Sequence, residues 1–220
     1  MTFAGTYRLS AIGRVVAGAA LCAPLSALAP AAADDPCPNV QVVFARGTNE
    51  PVGPGFTGQT FIDALSAKLP AESVAAYAVN YPASDDYVRS AAVGADDARA
   101  KIQATAANCP ATKLVLGGYS QGAAVTELAT SAMPPQIADH VAAVALFGTP
   151  VSEFSRMLAG GATLPTLSPS YAAKTLDLCI TDDPICSAGA NTLAHLSYIT
   201  SGLTEQAATF AAARVGQDSR

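Results

Sequence analysis

The run Gly118-Tyr119-Ser120-Gln121-Gly122 carries the most specific chemical signal in the chain. It follows the apolar residues Leu114-Val115-Leu116 and precedes Ala123-Ala124-Val125. A buried strand that turns into a helix through G-x-S-x-G presents its serine on a strained turn, and the flanking glycines leave room for the backbone to make it. Ser120 is therefore the candidate nucleophile. A serine capping a helix after a glycine-rich turn would look similar locally, so the motif gains weight only if the other parts of an acyl-transfer site can be found.

A serine hydroxyl is a weak nucleophile near neutral pH. Acyl transfer needs an imidazole base and a carboxylate that holds the imidazole in its useful tautomer. Two histidines are available. His140 opens the apolar run Val141 to Phe147, which puts it at the strand edge opposite the elbow. His195 comes after the last apolar run and can return to the elbow's edge, so His195 is the candidate base. The carboxylate is expected after the last strand and before that histidine, in the order Ser, Asp, His. Asp177, Asp182 and Asp183 satisfy this by position. Asp177 lies within the strand, with little freedom to reach an imidazole, while Asp182 and Asp183 share the loop between Cys179 and Cys186 and spacing does not separate them. Charge developing on a carbonyl oxygen must meet preplaced donors, each worth about 3–4 kcal/mol of barrier. The amide of Gln121 is one; the other is expected from Ala45-Arg46-Gly47-Thr48-Asn49-Glu50, where Thr48 offers both an amide and a hydroxyl.

These side chains must be positioned by a scaffold, and the apolar pattern predicts which. Short runs apolar on both faces recur at 40–45, 74–79, 113–117, 141–147 and 174–179, as buried parallel strands require. Helical stretches are expected between them at 57–69, 91–108, 121–131 and 136–140, with another at 203–215. Alternating strands and helices imply an α/β three-layer sandwich around a mostly parallel five-stranded sheet, with its site at the C-terminal strand edge. The connections are too short for a large lid, so Ser120 should lie near solvent.

Residues 1–33 run from Arg8 and Arg14 through an apolar stretch to Ala31-Ala32-Ala33, the order of a secretory signal peptide. Pro24 and Pro30 interrupt the stretch before it reaches a membrane-spanning length of about 20 residues, and stable membrane insertion is not expected. Residues 34–220 are expected to form one domain. Loss of two arginines and no acid takes the net charge from −5 to −7, which excludes nucleic acid as an electrostatic partner. Cys37, Cys109, Cys179 and Cys186 would remain, an even count that reads as two disulfides in an exported chain, with three pairings open. Proximity favours Cys179 with Cys186, leaving Cys37 with Cys109. The spacings lack the paired C-x-x-C units of zinc modules, and neither a metal nor a cofactor is expected.

Taken together, Val43-Phe44-Ala45-Arg46-Gly47-Thr48, Gly117 to Gly122, Cys179-x3-Asp183-x2-Cys186 and His195 resemble the cutinase family, and more narrowly the cutinase-like serine esterases of mycobacteria and related actinobacteria. The resemblance covers nearly all of the chain from Cys37 onward. It implies a small lidless α/β-hydrolase fold, Asp183 as the catalytic acid, Thr48 in place of the serine that fungal members use as oxyanion donor, and the disulfides Cys37–Cys109 and Cys179–Cys186. It also implies hydrolysis of esters with short to medium acyl chains through an acyl-enzyme, with cutinase, lipase or polyester hydrolase activity within reach. Ile185 and Leu193, beside the acid and base, are candidates for an apolar rim around the acyl chain, and a secreted monomer is expected. The same triad would also serve an acyltransferase; an exported binding protein on a hydrolase scaffold is the non-enzymatic alternative.

Overall fold

The computed structural model describes residues 37–217; the expected signal peptide lies outside them. Five strands, β1 (Val40–Ala45), β2 (Val74–Ala78), β3 (Lys113–Tyr119), β4 (Val141–Phe147) and β5 (Thr175–Leu178), form one parallel sheet in the order β2-β1-β3-β4-β5. Every expected strand is present within two residues of its expected ends. The helices are α1 (Gly55–Lys68), α2 (Tyr87–Asn108), α3 (Gln121–Ser131), α4 (Glu153–Leu158), α5 (Thr192–His195) and α6 (Leu203–Gln217). The stretch expected to be helical at 136–140 is a 3₁₀ turn, Pro135–His140, started by a proline that lacks an amide to donate. Two short helices, α4 and α5, and a 3₁₀ turn at Pro169–Lys174 carry no sequence period long enough to announce them.

Alternation along the strands divides the core. Val43 and Ala45 of β1 with Leu114 and Leu116 of β3 pack on one face beneath α2 and α3. Val42 and Phe44 with Val115 and Phe147 pack on the other beneath α1 and α6. On that second face the rings of Phe44, Phe61 and Phe147 lie 5.9–6.3 Å apart, each burial contributing about 1.5–3 kcal/mol. The topology then decides the site. β3 is central, so Ser120 at its C-terminal end is flanked by the connections leaving β1 on one side and β4 and β5 on the other. Disulfides Cys37–Cys109 and Cys179–Cys186 tie the start of the domain to the end of α2 and close the loop after β5. The connection from β4 to β5 holds only α4 and a 3₁₀ turn, those from β1 to β2 and from β2 to β3 hold one helix each, and no lid domain is built among the described residues.

One core residue works against this packing. Glu127 on α3 is 5% exposed, and its Oε2 finds no hydrogen-bond partner among the described residues. Burial, helped by the nearby charge of Asp177 and opposed by a hydrogen bond from the Leu167 amide, pushes its carboxyl up to about 8. The folded chain therefore holds this proton where the unfolded chain releases it near 4.5. The associated stability is complete below the lower value and is lost as pH rises through the upper one. Glu127→Gln is expected to flatten that loss, raising Tm at pH 9 by about 5 °C or more while changing it little at pH 4; thermal denaturation at the two pH values measures it.

Candidate active site

Ser120 sits between β3 and α3 with φ 55° and ψ −120°, a conformation that L residues adopt at a cost. The surrounding backbone imposes it. A Cβ on Gly118 would lie 2.1 Å from the Gly122 carbonyl oxygen, and one on Gly122 would lie 1.9 Å from the carbonyl oxygen of Ala45. Only glycine permits both approaches. Ser120 is pinned further by donating its amide to the Phe147 carbonyl at 2.8 Å, so the strained turn is fastened to β4.

His195 ends α5, a single turn begun by Asn191, whose side chain accepts from the Leu193 amide. Its Nε2 is 2.8 Å from Ser120 Oγ and its Nδ1 is 2.8 Å from Asp183 Oδ2. With the proton on Nδ1, donated to Asp183, the lone pair of Nε2 faces the serine hydroxyl. Tyr119 stacks on the imidazole with ring centroids 5.0 Å apart, and its hydroxyl donates to the His195 carbonyl at 2.6 Å. The structure thus brings Ser120, Asp183 and His195 together. Asp177 is held on β5, accepting from the Thr149 hydroxyl at 2.7 Å, and His140 stands at the start of β4, at the far edge of the sheet.

Of the two neighbouring aspartates in the acid loop, Asp182 is exposed and takes φ 68°, while the side chain of Asp183 is 0% exposed. Asp183 Oδ1 accepts from the Ile185 amide at 2.8 Å, and Oδ2 accepts from Tyr198 Oη at 2.7 Å as well as from His195. Burial alone would push the carboxyl up. The bonds from His195, Tyr198 and the Ile185 amide outweigh it and hold the group below the usual carboxylate range.

On the other side of Ser120, the loop after β1 is braced by its own side chains. The buried Arg46 guanidinium donates to the carbonyls of Glu50 at 3.0 Å and Tyr81 at 2.8 Å, and the Gly47 amide donates to Glu50 Oε2 at 2.6 Å. This bracing sets Thr48 beside the elbow. The Thr48 amide enters none of the hydrogen bonds among the described residues, and the Gln121 amide opens α3, where no carbonyl a turn earlier belongs to the helix. The Gln121 side chain is buried and locks the next loop, accepting from the Ser90 hydroxyl at 3.0 Å and donating to the Ser84 carbonyl at 2.9 Å.

A cleft of about 850 Å³ opens above Ser120 and His195, with Phe56, Leu158, Ile185 and Leu196 among its walls. Ile185 stands where the sequence suggested. Leu193 does not: it is 69% exposed outside the cleft, because α5 is one turn long and carries Leu196 into the wall instead. Three residues that touch the site had no sequence signal. Tyr198 and Leu196 lie in an irregular turn after His195, and Gly148, at φ 62°, follows β4 immediately beneath the imidazole.

Comparison with known proteins fits this geometry. The protein family described as Cutinase matches residues 36–215. Carboxylesterase Culp1 of Mycobacterium tuberculosis is 60% identical over 185 residues, covering 84% of this chain and 85% of that protein. Phospholipase Culp4 of the same species is 44% identical over 218 residues, covering 94% and 92%. Among solved structures, Trichoderma reesei cutinase in complex with a C11Y4 phosphonate inhibitor superposes with a TM-score of 0.67 at 35% identity, covering 82% of this chain and 78% of that one.

The place of Gly148 generates a test. A Cβ there would lie 2.9 Å from His195 Cε1 and 3.0 Å from Tyr198 Oη, on a backbone whose φ disfavours any side chain. Gly148→Ala is expected to displace the imidazole and to lower kcat/KM for ester hydrolysis by about a hundredfold. It should also lower Tm by a few degrees, as steady-state kinetics and thermal melts would register; a variant with unchanged kinetics would show that the imidazole is not held by this contact.

Proposed function

The chain belongs to the cutinase family of serine ester hydrolases, and on that premise we propose that Ser120, His195 and Asp183 perform the hydrolysis as nucleophile, base and acid. His195 Nε2 takes the proton of Ser120 Oγ as the oxygen attacks the ester carbonyl. The carbonyl oxygen becomes an oxyanion that accepts from the Thr48 and Gln121 amides. Collapse of this intermediate breaks the bond to the alcohol, and His195 returns its proton to the departing oxygen, leaving an acyl group on Ser120. A water then gives its proton to His195 and attacks the acyl-enzyme. The carboxylic acid departs and the serine regains its hydrogen. Asp183 remains ionised throughout and stabilises the imidazolium formed in each half.

The single observation that carries this reading is the unbroken chain of 2.8 Å contacts from Ser120 Oγ through His195 to Asp183 Oδ2. Apolar cleft walls support esters with short to medium acyl chains, and the relative named as a phospholipase makes phospholipid a second ester to assay. Export belongs to the same proposal: two disulfides suit an oxidising compartment, and Cys179–Cys186 closes the loop that carries the acid.

Ser120→Ala is expected to reduce hydrolysis of p-nitrophenyl butyrate by about 10⁴-fold or more, with little change in Tm. Labelling of the wild-type chain by an organophosphonate should reach one equivalent at Ser120, read by peptide mass. Labelling elsewhere, or turnover retained by the variant, refutes the assignment. Reduction of both disulfides, verified by mass, is expected to lower kcat through loss of the acid loop's geometry; kinetics unchanged after full reduction would remove the loop constraint from the mechanism.

A further inference from the structure

We propose that Tyr198 is a positioning residue of this site, its hydroxyl holding the Asp183 carboxylate in the rotation that meets His195; the proposal rests on the reading of Asp183 as the acid of the triad. Asp183 is fully buried, and no lysine or arginine pairs with it among the described residues. Its charge must therefore be met by hydrogen bonds while His195 is neutral. Two donors other than the imidazole do so, the Ile185 amide on Oδ1 and Tyr198 Oη on Oδ2. They occupy different oxygens, so together they stop the carboxylate turning about its Cβ–Cγ bond. Without Tyr198, Oδ2 would be held by His195 alone, the partner it is supposed to orient.

The hydroxyl is itself aimed. Tyr198 Oη accepts from the Ile180 amide at 3.3 Å; its own proton faces the Asp183 carboxylate at 2.7 Å and the disulfide sulfur of Cys186 at 3.4 Å, and the charged oxygen is much the stronger acceptor. The ring is 1% exposed and meets Tyr119, Phe147 and His195 edge to face at centroid distances of 5.7, 6.1 and 6.2 Å. The spacing matters too. Tyr198 lies three positions after His195, so the segment that carries the base also carries the donor to the acid, and the two halves of the relay are set by one piece of backbone.

Tyr198→Phe keeps the ring packing and removes only the donor. With active sites counted by phosphonate titration, kcat for p-nitrophenyl butyrate is expected to fall about tenfold or more with KM within about twofold. The acid limb of the kcat/KM profile should move to higher pH, because a carboxylate with one donor fewer binds an imidazolium more tightly and also protonates more readily. In an Asp183→Asn background the same change should cost less than about twofold, since the group it acts through is gone. If Tyr198→Phe gives too little folded protein, 3-fluorotyrosine at 198 supplies a stronger donor in the same packing and should move the limb to lower pH. An unmoved acid limb with unchanged kcat per titrated site, or an equal loss in the Asp183→Asn background, overturns the proposal. Wild-type turnover by Asp183→Asn itself would instead overturn the triad reading on which it rests.

Discussion

The chemistry at this sheet edge depends on one steric constraint, the near contact between the backbone of Gly122 and the carbonyl of Ala45. Because no side chain can stand there, the first turn of α3 lies directly against the end of β1. This contact sets the Gln121 amide beside the loop that carries Thr48, although the two are far apart in sequence. It also leaves Ser120 in a backbone conformation it would not choose alone. The cost is met by the scaffold: β3 is the central strand, hydrogen-bonded on both sides, and Ser120 is tied to β4 through the Phe147 carbonyl. A loop or an edge strand would relax; a strand with parallel neighbours on either side cannot.

The second determinant is how the fold treats buried carboxyl groups, and the chain contains a controlled contrast. Asp183 and Glu127 are both removed from water, and neither has a lysine or arginine partner among the described residues. Asp183 receives three hydrogen bonds and stays ionised. Glu127 has one oxygen with no partner and is driven towards its neutral form. Burial is common to both, so what decides the protonation state is the set of donors aimed at Asp183 and, at Glu127, their scarcity together with the nearby charge of Asp177. The role proposed for Asp183 needs the first outcome, since a neutral acid could not stabilise an imidazolium. The donors to Asp183 come from its own loop, from α5 and from the turn beyond it, so the charge exists only when these segments are assembled.

Most of the framework was legible in the sequence because its causes are local and periodic. Strands apolar on both faces could belong only to a covered parallel sheet, and the elbow's glycines announce a sharp turn. Ser120 and His195 were singled out by the motif and by which edge each strand leaves, and the structure sets Ser120 Oγ 2.8 Å from His195 Nε2. The choice between Asp182 and Asp183 did not follow, since both share one short loop; what separates them is that Asp182 adopts a positive φ and turns outward. Leu193 was misplaced for a related reason: in a four-residue helix no period shows which face meets the cleft, and Leu196 does so. Tyr198 and Gly148 were invisible because their significance lies in what packs on them across the sheet edge. A glycine after β4 reads as an ordinary strand end until an imidazole is found above it.

The open cleft completes the argument about charge. With no lid among the described residues, the strengthened electrostatics that an enclosed site obtains by excluding water must come from elsewhere. Here the acid is already dry before substrate arrives, with its carboxylate fully covered and the imidazole shielded on one face by the Tyr119 ring. Only the Ser120 side of the relay faces the cleft. An apolar acyl group lying along Ile185, Leu158 and Leu196 would cover that side during the first half-reaction, and departure of the alcohol would reopen a path for the water needed in the second. In such a design the substrate supplies the cover, which removes any need for a moving domain and places the demand for rigidity on the elbow, the acid loop and the turn that joins His195 to Tyr198.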